Sequence, residues 1–239
     1  MIDLNEIEFN LNDYIEMVGK EQDIVNNHHE ARITIYESLI AGSLAIRSLT
    51  RVSEANDNDF SKVIPSIKAM IEWLRTTDFY KAPASTKYHE PFHGGLLLHS
   101  LKVYNSMIEL SKLKCFSKVN IASATLVALT HDWCKIGKYE PYFKNEKNPT
   151  THLWEEKLAY KYSDKYLGLG HGPQSLMMVS RFCTTPATVL SFDEMSAIRW
   201  HMFTYDVTSY DINDLNKCSN KIPLVLLTQF ADQLAAGDY

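Results

Sequence analysis

Six residues of types that bind metal recur at wide intervals along this chain: His99, His131, Asp132, His171, His201 and Asp232. Imidazole nitrogen and carboxylate oxygen are the donors that a divalent transition metal takes. His131–Asp132 ends the apolar run TLVALT, where a carboxylate is costly to bury unless it is paired or bound to metal. Alone, the dipeptide better fits a helix running out into solvent, because Lys135, Gly137 and Lys138 follow. His99 stands near the start of an apolar helix after Gly94–Gly95, and His171 stands between Gly170 and Gly172. His201 lies in AIRWHM, and Asp232 interrupts LVLLTQFADQLAA. Each of these singly also fits a hydrogen-bonded core residue. Together they supply enough ligands for two metals, with one carboxylate bridging.

The elements that must position these residues are helical. A period of 3.6 predicts amphipathic helices over 30–51, 60–75 and 96–113, and a helix over 120–136 that is apolar nearly all round and therefore central. In that helix Ile121, Thr125 and Ala128 share a stripe with Asp132. Ser191 and Glu194 form an S-x-x-E capping box opening a helix over 192–203. Pro173 reads as the N1 proline of a further helix, and Gly237 as the C′ glycine ending the helix 222–236. Residues 76–95 read as a loop. Residues 138–170 read as a long decorated loop, with a short β-hairpin at about 150–166 where LAYKYSDKY alternates. The fold class is all-α, a helical bundle. An N-terminal helical extension (1–75) precedes the domain that carries the candidate site (76–239).

Further residues could touch a substrate. Lys135 follows His131 by one turn and could reach a phosphate oxygen, or simply be a solvated helix-end lysine. His89 and His93 in YHEPFHGG could contact phosphate or donate a proton, or be surface histidines. Gly94–Gly95 could offer backbone N–H groups to an anion or form a simple turn. His28, His29 and His152 have no supporting context and are expected to be exposed. The 138–170 segment interleaves tyrosines, Phe143 and Trp154 with lysines, as base stacking or a packed hairpin would.

In order and in local strings these residues resemble the HD-domain metal-dependent phosphohydrolase superfamily. FHGGLLLHSLKVYN looks like its GGLLEHTL-type first motif, including that of YhaM-type 3′–5′ exoribonucleases. HDWCKIGK resembles the HDxxKxGK second motif, and LGLGHGPQS, AIRWHM and FADQLAA are similar to those carrying the last three ligands. The resemblance covers about residues 80–237; Leu98 and Pro173–Gln174 depart from it at positions that are not ligands. It implies one metal on His99, His131, Asp132 and Asp232 and a second on His171 and His201, with Asp132 bridging and orienting the nucleophile. The metals implied are manganese, iron, zinc, nickel, cobalt or magnesium.

The implied activity is hydrolysis of phosphate esters in nucleotides or short oligonucleotides, with Asp132 and Lys135 catalytic and His89 and Lys135 touching substrate. Alternatives are a 3′–5′ exonuclease on single-stranded RNA or DNA, a non-catalytic nucleotide-binding HD module, and an oxygenase using mixed-valent iron. The net charge of −5 argues against a surface gripping long nucleic acid. No apolar run approaches the roughly 20 residues of a membrane span, and MIDLNEIEFNLNDY is no signal sequence, so a cytoplasmic protein without a membrane partner is expected. Four dispersed cysteines without a CxxC pair are expected to be reduced thiols. A homo-oligomer is left open.

Overall fold

The computed structural model describes residues 22–55 and 60–237; the N-terminal MIDLNEIEFNLNDY lies outside them. Eight α-helices and one hairpin are found among the described residues: α1 (Gln22–Ala55), α2 (Val63–Thr76), α3 (Gly95–Ser111), α4 (Ile121–Thr130), β1 (Tyr139–Lys147), β2 (Trp154–Tyr162), α5 (His171–Ser180), α6 (Phe192–Trp200), α7 (Ile212–Lys221) and α8 (Pro223–Ala236). The all-α reading holds. No helix among the described residues is long and apolar enough to cross a membrane.

The central element is α4, which packs against α1, α3, α6 and α8. Asn120 caps it by accepting the Ser123 N–H, and Ala124, Leu126, Val127, Ala128 and Leu129 are fully buried. It is shorter than the predicted span of 120–136. The helix stops at Thr130, and Asp132 leaves helical geometry (φ −103°, ψ 16°) before a 3₁₀ turn, Trp133–Lys135. His131 and Asp132 therefore stand at a helix end, and the expected stripe through Asp132 is broken. The long helix α1 lays Tyr36, Ile40 and Leu44 against the core, and the Tyr36 hydroxyl donates to the Leu129 carbonyl (2.6 Å). Arg47 on the same helix forms a buried two-pronged pair with Glu194 of the predicted capping box, which is present.

Other expectations shift. Helix α5 begins at His171, so Pro173 sits inside its first turn rather than opening it. Gly237 is extended (φ −91°), so α8 ends without a left-handed glycine. Helix α7 has no counterpart among the predicted elements; it is a strongly polar stretch in which few apolar residues mark a face. The hairpin starts earlier than expected, at Tyr139, and pairs Tyr139 with Tyr162, Phe143 with Leu158 and Lys147 with Trp154. Pro141 is tolerated because a two-stranded ribbon has two free edges. One face of the ribbon carries Pro141, Phe143, Leu158 and Tyr160, while the other carries Glu140, Lys144, Lys157 and Lys161.

Candidate metal centre

The six residues come from several kinds of position. His99 sits one turn inside α3, Asp232 lies in the interior of α8, and His171 is the first residue of α5. His131 and His201 occupy equivalent places, the C-caps of α4 and α6. The last carbonyls of a helix lack intrahelical donors. Both imidazoles use one: Nδ1 of His131 donates to the Ala128 carbonyl (2.8 Å), and Nδ1 of His201 to the Ile198 carbonyl (2.7 Å). That bond fixes the tautomer and leaves the Nε2 lone pair free. Both Nε2 atoms are buried and have no hydrogen-bond partner.

Those lone pairs converge on Asp132, which is 2% exposed. Its Oδ2 lies 3.5 Å from Nε2 of His99, 3.5 Å from Nε2 of His131 and 2.6 Å from Nζ of Lys135. Its Oδ1 lies 2.6 Å from Nε2 of His171 and 3.6 Å from Nε2 of His201. Asp232 closes the first group, with Oδ1 3.0 Å from His99 and 3.7 Å from His131. All six sequence-predicted ligands are thus brought together. For bonds of roughly 2.1 Å, neighbouring donors lie about 3.0 Å apart around an octahedral ion and about 3.4 Å around a tetrahedral one. The spacings of 3.0–3.7 Å fall near these values, while His171 stands at hydrogen-bond length from Asp132; the unpartnered buried Nε2 atoms of His131 and His201 are of the kind that a metal takes. These His, Asp and Cys groups could hold metal ions: His99, His131 and Asp232 form one close set, His131, Asp132 and His201 another, and Asp132, Cys134 and His171 a third.

The electrostatics are those of a compact charge cluster. Burial alone would raise the Asp132 carboxyl, but Lys135 and His131 outweigh it and hold it well below its usual range. Asp232 is likewise held low against burial, mainly by its hydrogen bond to His99. Burial pushes His131 down to about 4, leaving it neutral and able to donate its lone pair. His99 goes the other way: its hydrogen bond to Asp232 and the nearby Glu90 carboxylate overcome burial and raise it to about 9.

Lys135 is buried beside Asp132, so the solvated helix-end reading does not apply. It lines a cleft of about 320 Å³ with Asp132, His171, His201, Asp232 and His89. The His89 ring is half-buried, 4.8 Å from the His99 ring, and burial pushes it down to about 4. His93 is exposed and stacks near His29 (5.4 Å). His28 is half-buried and His29 half-buried against Gly94, neither exposed as expected, whereas His152 is exposed. The Gly94 and Gly95 amides donate to Lys81 and Phe92 carbonyls, so neither is free for an anion. From the interleaved segment, Tyr139 and Tyr162 reach the cleft, and Lys138 stands 5.6–5.9 Å from the Tyr139, Tyr162 and Tyr166 rings.

Two contributors were not read from the sequence. Asp206 accepts the His171 and Gly172 N–H groups at the start of α5 (3.1 and 2.9 Å), fixing where His171 stands. Glu90 lies behind His99. A larger, mostly apolar groove of about 600 Å³ runs past Leu176, Met195, Trp200 and Ile222. No histidine lines it, and all six candidate ligands lie away from it.

Compared with models of protein families, with curated proteins and with solved structures, the chain matches none. The helical fold and its His/Asp cluster are compatible with an HD-type architecture.

Proposed function

We propose that this chain is a metal-dependent phosphohydrolase of the HD type, cleaving phosphate esters of nucleotides or short oligonucleotides. The observation that carries the reading is the Asp132 carboxylate. One oxygen faces His99 and His131, the other faces His171 and His201, and both lie beside an open cleft. A carboxylate so placed suits a bridge between two cations, one on His99, His131, Asp132 and Asp232 and the other on His171, His201 and Asp132. Bound there, divalent cations would supply a nucleophile from water near neutral pH and neutralise charge building on phosphorus.

The protein's own groups would do the rest. Asp132 would orient the attacking oxygen. Lys135, a compact cation on the cleft wall, would meet a phosphate oxygen. His89 would contact the ester from the opposite loop. The cleft volume lies at the small end of ligand pockets, in keeping with one nucleotide or the end of a short strand. Tyr139 and Tyr162 at its wall offer ring faces on which a base could stack.

The test is release of phosphate or nucleoside from a panel of nucleotides, cyclic dinucleotides and short single strands with manganese present. Wild-type protein is run beside His131→Ala/Asp132→Ala. Turnover by wild type and none by the double variant is expected. Equal activity of the two, or silence of a metal-loaded wild type across the panel, would remove the hydrolase reading.

A further inference from the structure

We infer that Glu90 is a positioning residue for the metal centre, holding the His99 ring by its outer nitrogen so that Nε2 faces Asp132 and Asp232. The inference rests on the metal-site reading above and adds a residue that none of the resemblance motifs includes.

The need for such a residue follows from where His99 sits. His131 and His201 are oriented by free carbonyls at their own helix ends. His99 lies inside α3, where the carbonyls are taken up by the helix itself. Its Nδ1 therefore has to find an acceptor on another element. The carboxylate of Glu90 is the group in position to serve: Oε2 lies 3.7 Å from Nδ1, an ion-pair contact just beyond hydrogen-bond length, and neither atom has a hydrogen-bond partner elsewhere among the described residues. Both residues are buried.

The placement of Glu90 is held from several sides. Its other oxygen, Oε1, receives the ammonium of Lys102, one turn along α3 from His99. Its backbone is left-handed (φ 40°), a conformation that a residue with a side chain keeps only when its surroundings enforce it. The enforcement is visible: the Ala84 N–H donates to the Glu90 carbonyl (3.1 Å), and Gly95 packs against that carbonyl so closely that a Cβ would stand 2.1 Å from it. A carboxylate behind a metal-binding imidazole keeps the proton on the far nitrogen and makes the near one a better donor. His99 Nε2 is the near nitrogen, 3.0 Å from Asp232 and 3.5 Å from Asp132.

The experiment titrates manganese into chelator-treated full-length protein and reads free ion by electron paramagnetic resonance. Glu90→Gln keeps the shape but removes the charge, and should weaken binding about 10- to 100-fold while the number of ions per chain stays that of wild type. Lys102→Met breaks the ionic tie of Glu90 to the outer side of α3 and should bind manganese close to wild type. In zinc-loaded protein, the His99 Nδ1–H proton resonance should move upfield in Glu90→Gln. Wild-type affinity in Glu90→Gln would overturn the inference, as would an equal loss in Lys102→Met, which would make Glu90 a loop fastener. A drop in the number of ions bound would make it a ligand instead. Failure of wild type to bind manganese at all would be a different result, removing the metal site itself.

Discussion

The Lys135 ammonium lies 2.6 Å from Oδ2 of Asp132, and both side chains are buried at the inner end of the cleft. Burial pulls the ammonium pKa down, but Asp132 more than compensates and raises it, so the charge persists in the pocket. A fixed cation facing the position of a transferring phosphoryl group contributes to the transition state and little to metal capture. Lys135→Met should therefore lower turnover by roughly 10²-fold with metal content unchanged. Elemental analysis beside steady-state kinetics on the substrate found by the panel checks this. Loss of metal together with activity would mean that Lys135 helps to assemble the ligand cluster instead.

The six candidate ligands were legible because each is a polar residue set in apolar or glycine-bounded surroundings, and the structure brings all six together. The positions at which they converge were less legible. The end of α4 at Thr130 is a backbone event with no proline or glycine at the break itself. Glu90 was missed because its partner His99 is nine residues away across a loop, outside any helical or strand spacing. Asp206 was missed for a similar reason, lying 35 residues from the N–H of His171 that it caps. The hairpin's first strand was hidden by Pro141 and by adjacent aromatic residues that blur the two-residue alternation.

Gly172 follows His171 because the start of α5 lies directly against the end of α6. A Cβ at Gly172 would meet the Arg199 carbonyl at 2.1 Å, and backbone cannot give way as a side chain tip can. Gly172→Ala should push α5 off α6, carrying His171 away from Asp132 and His201. The expected outcome is loss of at least one bound metal, with destabilisation of about 1–3 kcal/mol. Metal content and urea denaturation of the same preparation read both, and an alanine variant with wild-type metal content would show that α5 can shift without moving His171.

The four thiols should separate cleanly under alkylation. Burial raises Cys134 to about 12 and Cys183 to about 11, so both stay protonated and shielded at mildly alkaline pH. Cys115 is exposed and Cys218 half-buried. Iodoacetamide at about pH 8 should label Cys115 quickly, Cys218 more slowly and the other two only after denaturation. Peptide mass spectrometry over a time course gives the order. Early labelling of Cys134 would mean that the wall behind Asp132 opens in solution.

The ion pair joining α1 to α6 should set an acid limit to stability. Arg47 grips both oxygens of Glu194 (2.5 and 2.6 Å), and Glu194 also accepts the Ser191 N–H (2.7 Å) in the capping box. Burial would raise the Glu194 carboxyl, but Arg47 outweighs it and holds it below the ordinary value of 4.5. A depressed folded-state pKa means that the stabilisation is complete above the unfolded-state value and is lost as pH falls through the folded one. Glu194→Gln leaves Arg47 buried with its charge unmatched, which costs roughly 3 kcal/mol near neutral pH. The gap between wild type and variant should stay constant from about pH 8 down to about pH 5 and narrow only in stronger acid. Urea unfolding midpoints across that range measure it. A gap that is absent near neutral pH would mean that Arg47 finds other acceptors, with the Val189 carbonyl at 3.1 Å already in reach.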